Sequence, residues 1–212
     1  MLFRSHPGTQ SVRIRQRTGE SPYRQGELLS TLWLTSLSTP ADMPQFQHLL
    51  KSYYEYLLEE TAKGHLDDFD ALPSNIVVAE GGRYRRIDTE WSMNGEILPD
   101  FVFFRALFWF SVDNHQSLKT VFKNSHIYCP KDFIRLGFQW IEATISEKEL
   151  LQWIQTEEAI HDVVAVRGVT KKSIDETVSE TFPSYVDGMA SMPDTLRISW
   201  SEDVNDFSEE QS

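Results

Sequence analysis

Residues 66–91 read LDDFDALPSNIVVAEGGRYRRIDTEW and carry the strongest structural signals in this chain. Residues 76–78, IVV, form a β-branched run that is typical of a strand. The Gly-Gly pair at residues 81–82 suits a tight turn, because glycine adopts positive φ without steric cost. Residues 84–87, YRRI, then predict a returning strand, so the stretch indicates a β-hairpin.

Oxygen-bearing side chains flank both strands of this hairpin. Asp70 and Asn75 precede the first strand, and Asp88 and Glu90 follow the second. Because a hairpin brings its two open ends together, we expect these side chains to converge. Several carboxylates held close together repel one another unless a cation lies among them, and hard oxygen ligands suit Mg²⁺. The alternative is a solvated acidic hairpin in which Asp and Asn cap the turns.

The spacing of these residues resembles a known catalytic segment. Residues 70–75 match D-x-x-P-x-N, and residues 87–90 match I-D-x-E. This combination is similar to the catalytic loop and metal-binding segment of the protein-kinase-like superfamily, in particular the choline kinases and aminoglycoside phosphotransferases. The resemblance implies that Asp70 is the catalytic base, which orients the acceptor hydroxyl and takes its proton. It also implies that Asn75 and Asp88 hold Mg²⁺, with Glu90 as an auxiliary acid at the metal.

The chain departs from this family pattern in two respects. Asp68 stands where the family has a histidine. Residues 1–64 are too few for the nucleotide-binding lobe, and they contain no Gly-rich phosphate loop. The predicted fold is therefore α+β, a mainly helical kinase-like C-lobe with a catalytic-loop hairpin and with the N-lobe largely absent. ATP binding has no support from a phosphate loop in this sequence.

A second resemblance concerns the wider arrangement of motifs. The run SPYRQGELL, residues 21–29, precedes a helix, the residue 70–77 segment, IDTEW and an aromatic helix. This order is similar to the C-terminal region of some bacterial S-adenosylmethionine-dependent methyltransferases of surface-glycan assembly, over about residues 20–165. The resemblance implies a transferase context. S-adenosylmethionine would require an upstream domain, because no acidic Gly-rich cofactor loop follows a strand here.

Composition excludes several classes of function. The 212 residues include 20 Lys and Arg against 32 Asp and Glu, a net charge of −12, which argues against nucleic acid and anionic membrane surfaces as partners. The single cysteine, Cys129, excludes an internal disulfide and fits a cytoplasmic location. No stretch has the length of a membrane span, since residues 101–112 are interrupted by Arg105, so we expect no membrane insertion.

The sequence divides into three segments. Residues 1–25 read as a residual strand and linker, residues 26–168 as the kinase-like helical lobe, and residues 169–212 as an acidic, largely disordered tail. Within the lobe, apolar periodicity predicts helices over residues 26–37, 39–64, 99–112, 130–144 and from residue 146 to Gly168.

Arg105 stands out within the apolar helix. A buried arginine needs a carboxylate partner, because an unpaired buried charge is strongly destabilising. We expect Arg105 to be buried and paired with an acid of the residue 67–70 loop or with Glu90. The expected role is structural rather than catalytic.

Two functional hypotheses follow. In the first, the chain is an accessory C-terminal domain of a methyltransferase-associated transferase, inactive alone, which positions a glycan or a partner domain. In the second, it is a Mg²⁺-dependent phosphotransferase that acts on a sugar or another small hydroxyl acceptor, with Asp70 as base. A phosphate-binding loop or a cofactor-binding Rossmann half in upstream sequence would discriminate between them.

Overall fold

The computed structural model describes residues 14–16, 25–66, 69–88, 91–93, 97–123, 125–164 and 173–182, all within one compact unit, Met1–Phe182. This part of the chain has seven α-helices, a three-stranded antiparallel sheet and a two-stranded one. The fold is α+β and mostly helical.

The described residues form five strands and seven α-helices. The strands are β1 (Ile14–Gln16), β2 (Glu27–Leu28), β3 (Ile76–Ala79), β4 (Arg83–Arg86) and β5 (Trp91–Met93). The helices are α1 (Leu29–Thr35), α2 (Met43–Ala62), α3 (Pro99–Asp113), α4 (His115–Val121), α5 (Pro130–Trp140), α6 (Glu147–Val164) and α7 (Ile174–Ser179).

The predicted hairpin is confirmed. Strands β3 and β4 pair antiparallel from Ile76 opposite Arg86 to Ala79 opposite Arg83. The turn between them contains Gly81 and Gly82, with φ of 79° and 74°, values that favour glycine. In β3, Ile76 and Val77 are buried, so this strand holds the hairpin against the core.

A third strand extends this sheet where the sequence pattern predicted a helix. The predicted helix over residues 26–37 starts only at Leu29, because Glu27 and Leu28 pair with Val78 and Val77 as strand β2. Leu28 accordingly is 37% exposed rather than in the core. Gly26 makes this pairing sterically feasible, since a Cβ there would lie 2.4 Å from Val77 Cγ1.

Helix α2 packs one apolar stripe on the core and leads to the loop before the hairpin. The predicted helix over residues 39–64 is shorter at both ends, because a 3₁₀ turn, Pro40–Asp42, precedes Met43 and Gly64 follows the end with φ of 68°. The buried residues recur at helical spacing; they are Phe46, Leu50, Tyr53 and Leu57.

Helix α3 is the centre of the core, as its apolar sequence predicted. Its ten buried residues cover every side of the helix; they are Phe101, Val102, Phe103, Phe104, Arg105, Ala106, Leu107, Phe108, Phe110 and Ser111. Helix α5 approaches α3 closely at Gly137, where a Cβ would lie 2.5 Å from Leu107 Cδ1. Glycine is thus required at this crossing of the two helices.

The end of the helical region lies later than the predicted boundary at residue 168. Helix α7 begins at Ile174 inside the segment predicted as a tail, and it packs against α5 and α6. Ile174, Val178 and Phe182 are buried there, and Phe182 N–H donates to the Tyr128 carbonyl at 2.7 Å. The remainder of the predicted tail, residues 183–212, lies outside the described residues.

Near the other end of the chain, the strand predicted within residues 1–25 is present as β1, paired antiparallel with β5. Across the described ranges, no helix is long and apolar enough to cross a membrane.

Candidate functional site

The loop before the hairpin is fixed by its own side chains. Asn75 donates its side-chain amide to the Asp70 carboxylate at 2.9 Å and to the Asp70 backbone carbonyl at 3.0 Å. Between them, the 3₁₀ turn Pro73–Asn75 leads directly into β3. Two of the predicted site residues, Asp70 and Asn75, are therefore in direct contact.

Asp88 lies at the same end of the hairpin as Asn75. Ile87 N–H donates to the Asn75 carbonyl at 2.8 Å, which continues the ladder by one residue beyond β4. Asp88 follows directly, exposed to solvent and with φ of 53°. Aspartate tolerates this left-handed conformation better than most residues, and such backbone outliers cluster at functional sites.

Glu90 lies outside the described residues, as do the loop residues at positions 67 and 68. Within the described ranges, no three His, Cys, Asp or Glu side chains are grouped closely enough to hold a metal ion. The ligand set Asn75, Asp88 and Glu90 therefore stays a prediction.

Asn75 and Asp88 offer oxygen atoms of the kind that Mg²⁺ prefers, but only two residues provide them. Asn75 directs its amide nitrogen at Asp70, so its side-chain oxygen is the atom that would face a metal. Mg²⁺ in phosphate-transfer sites is commonly held by one or two protein oxygens together with waters and substrate phosphates. The pair fits that use, in which bound Mg²⁺ would neutralise phosphate charge, and does not form a complete protein cage.

Arg105 is buried and ion-paired, as its position in an apolar helix predicted. It is 4% exposed, and its Nη1 lies 3.5 Å from Asp70 Oδ1 and 2.5 Å from the Phe69 carbonyl oxygen. The guanidinium also lies over the Phe69 ring, 4.8 Å from its centroid. Arg105 thus supports the Asp70 loop from inside the core.

Sequence reasoning missed the main partner of Arg105, which is Glu157 on α6. Glu157 is 1% exposed and accepts from Arg105 Nε at 2.5 Å and from Nη2 at 3.1 Å. It also accepts from the Trp109 indole N–H at 2.8 Å. A signal was present, because Glu157 occupies the apolar face of α6 in register with Trp153.

The electrostatics of this cluster place one cation between two carboxylates. Burial raises the pKa of Asp70, and the Arg105 charge reduces that rise without cancelling it. Burial alone would lower the pKa of Arg105, but the Glu157 and Asp70 carboxylates outweigh it and raise the pKa. Arg105 therefore stays charged, and Asp70 is a stronger base than an exposed aspartate.

A buried tyrosine, Tyr53, anchors the loop that contains Asp70 on its core side. Tyr53 on α2 is fully buried and donates its hydroxyl to the Ala71 carbonyl at 2.7 Å. Burial raises its pKa well above the usual value, so the hydroxyl keeps its proton and remains a donor. Helices α2 and α3 therefore contact the loop directly, through Tyr53 and Arg105, and α6 holds Arg105 in place through Glu157.

Comparison with protein-family models, with curated proteins and with solved structures finds no match to this chain.

Proposed function

We propose that this chain is a kinase-like accessory domain of a bacterial transferase, associated with a methyltransferase of surface-glycan assembly and located in the cytoplasm. The observation that carries the proposal is the Asp70–Asn75 contact at the mouth of the hairpin, with Asp88 one residue beyond the Asn75–Ile87 hydrogen bond. These contacts support the resemblance to kinase-like catalytic loops, which implies that Asp70, Asn75 and Asp88 lie near one another.

The accessory role is supported by what surrounds Asp70. Its two carboxylate oxygens face Arg105 and Asn75, and the loop is anchored by a buried ion pair. Phosphoryl transfer depends on positioning and on charge neutralisation of the phosphates more than on covalent chemistry. In the described residues before the loop, the chain forms β1, β2, α1 and α2, and none of these is a Gly-rich phosphate loop.

In this role the hairpin and its anchored loop serve as a rigid platform. The platform would position a glycan or a partner domain for chemistry performed elsewhere. S-adenosylmethionine would then bind a separate upstream domain rather than this one.

The second candidate is a Mg²⁺-dependent phosphotransferase with Asp70 as base. One observation favours it: the Asp70 side chain is 21% exposed, and its pKa is raised, mainly by burial. A general base works best when its pKa approaches the working pH. The acceptor would be a sugar or another small hydroxyl compound.

Calorimetry of the full chain with MgATP, together with a sensitive phosphate-release assay, tests both candidates. The accessory role predicts no measurable nucleotide binding and no turnover. Micromolar MgATP affinity with turnover that Asp70→Asn abolishes would overturn it and establish the phosphotransferase. Asp162→Asn is the matched control, because Asp162 is an exposed aspartate on α6.

A further inference from the structure

A small cleft opens at the carboxyl end of α3, beside the Asp70 loop. It has a volume of about 190 Å³ and lies between α1, the segment 72–74 and the last two turns of α3. Asp70 and Asn75 do not line it. The cleft is therefore a separate feature from the site proposed above.

The walls of the cleft are largely apolar and aromatic. Leu34 comes from α1, Leu72 from the loop, and Trp109 and Phe110 from α3. The Trp109 ring is held in place, because its indole N–H donates to the buried Glu157 carboxylate at 2.8 Å. A fixed aromatic ring in the wall suits a small ligand with an apolar part that packs against it.

The polar side chains that line the cleft carry a carboxylate, a carboxamide and three hydroxyls. Asp113 is the last residue of α3, and its carboxylate has no hydrogen-bond or ion-pair partner within the described part of the chain. Asn114 donates its side-chain amide to the Phe110 carbonyl at 2.9 Å, which leaves its side-chain oxygen as an acceptor. The hydroxyls of Ser30, Thr31 and Ser74 complete the lining.

The position of Asp113 at the carboxyl end of α3 favours a cation in the cleft. The carboxyl end of a helix carries partial negative charge, so a carboxylate there is unfavourable and a cation is favourable. The nearby helix-end carbonyl of Val112 is contacted by the His115 Nδ1 at 3.0 Å. The Asp113 carboxylate has no such partner, so a positive charge in the cleft would satisfy both the carboxylate and the helix end.

We propose that this cleft is a binding site for a small organic cation, a primary ammonium group on a short apolar chain. The ammonium would donate to Asp113 and to the Asn114 side-chain oxygen, and it would lie near the Trp109 ring, which attracts cations. The short chain would contact Leu34 and Leu72. Because drug-sized ligands occupy sites of about 300–1,000 Å³, this cleft suits only a small ligand or the end of a larger one.

An NMR titration of the full chain with butylammonium chloride tests the proposal. The signal to follow is the Trp109 indole resonance, which is identified by its loss in Trp109→Phe. We expect saturable binding in the millimolar range. We expect 1-butanol, which has similar shape and no charge, to bind at least about tenfold more weakly, because it cannot form an ion pair with Asp113.

Three variants sharpen the test. Asp113→Asn keeps the shape and removes the charge, and should weaken butylammonium binding by about tenfold. Thr31→Trp retains the Asp113 charge and fills the cleft from the exposed face of α1, so it should abolish saturable binding. Asp162→Asn, an exposed aspartate outside the cleft, should leave binding unchanged. The proposal is overturned if butylammonium does not saturate, or if Asp113→Asn and Asp162→Asn bind it equally well.

Discussion

Helix α3 contributes to two regions that differ in the partners of their carboxylates. One is the Arg105 cluster, formed by Arg105, Glu157 and Asp70, and the other is the cleft at the end of α3. In the cluster, Glu157 is buried and bound to a cation and an indole N–H. In the cleft, Asp113 is exposed and without a partner in the described part of the chain. Burial thus requires a built-in counter-charge, whereas a carboxylate that stays in contact with water can remain open to a ligand.

Removing Arg105 should have the largest effect. Arg105→Ala leaves Glu157 as an uncompensated buried charge and frees the Phe69 carbonyl, so we expect a loss of roughly 3–5 kcal/mol in the free energy of unfolding. Urea denaturation followed by circular dichroism measures it. A variant as stable as the wild type would show that the cluster contributes nothing and would remove the contrast with the cleft.

Replacing the whole ion pair should cost less than breaking it. The double variant Arg105→Met with Glu157→Leu removes both charges and retains apolar volume. Replacing a buried ion pair in this way is often close to neutral, so we expect the double variant to be more stable than Arg105→Ala by roughly 3–5 kcal/mol. The same denaturation experiment compares the two. If the double variant is the less stable, the hydrogen bonds to the Phe69 carbonyl and Trp109 outweigh the desolvation of the charges.

Trp109 joins the two regions, so its hydrogen bond tests whether they are coupled. Trp109→Phe removes one donor from Glu157, which retains Arg105, and should lower stability by about 1 kcal/mol. The comparison variant is Trp140→Phe on α5, because the Trp140 indole N–H donates to no acceptor among the described residues. Equal losses in the two variants would attribute the effect to ring size alone.

Asp113→Asn should change the free energy of unfolding least, and it should raise this free energy rather than lower it. Partial desolvation in the cleft raises the pKa of Asp113 in the folded state, so the protonated form is favoured by folding. The resulting stability is fully present below the unfolded pKa and is lost as the pH rises through the folded pKa. The Asn variant should therefore be more stable than the wild type at neutral pH, by a few tenths of a kcal/mol after solvent screening.

The measurement for this last variant is thermal unfolding at neutral pH and at a pH below about 3.9, the ordinary pKa of an aspartate. The gain should shrink at the lower pH, where both states of the wild type are protonated. A gain that is independent of pH would mean that the carboxylate charge is not its cause.

The parts of the fold that the sequence predicted depend on neighbours along the chain. The hairpin follows from a β-branched run and a Gly-Gly turn, and the buried helix α3 from an unbroken apolar pattern. Strand β2 was missed because it depends on pairing with Val77 and Val78, about fifty residues away. Local patterns carry no information about such a distant partner.

In the candidate site, too, contacts between residues close in sequence were predictable and contacts between distant residues were not. The contact between Asp70 and Asn75 follows from a motif of six residues. Glu157 lies 52 residues from Arg105, and several carboxylates nearer in sequence were equally plausible partners. The cleft depends on how α1 packs beside the segment 72–74, which no single stretch encodes. Glu90 lies outside the described residues, so its role stays a prediction.

Helix α7 has a consequence for how the protein is produced in fragments. Its apolar side chains at Ile174 and Val178, with Phe182 beyond it, cover part of α5 and α6. A recombinant fragment that stops at residue 168 would leave that apolar surface in water, where it favours aggregation. A fragment that continues through Phe182 keeps the surface covered, so expression trials should place the cut after this residue.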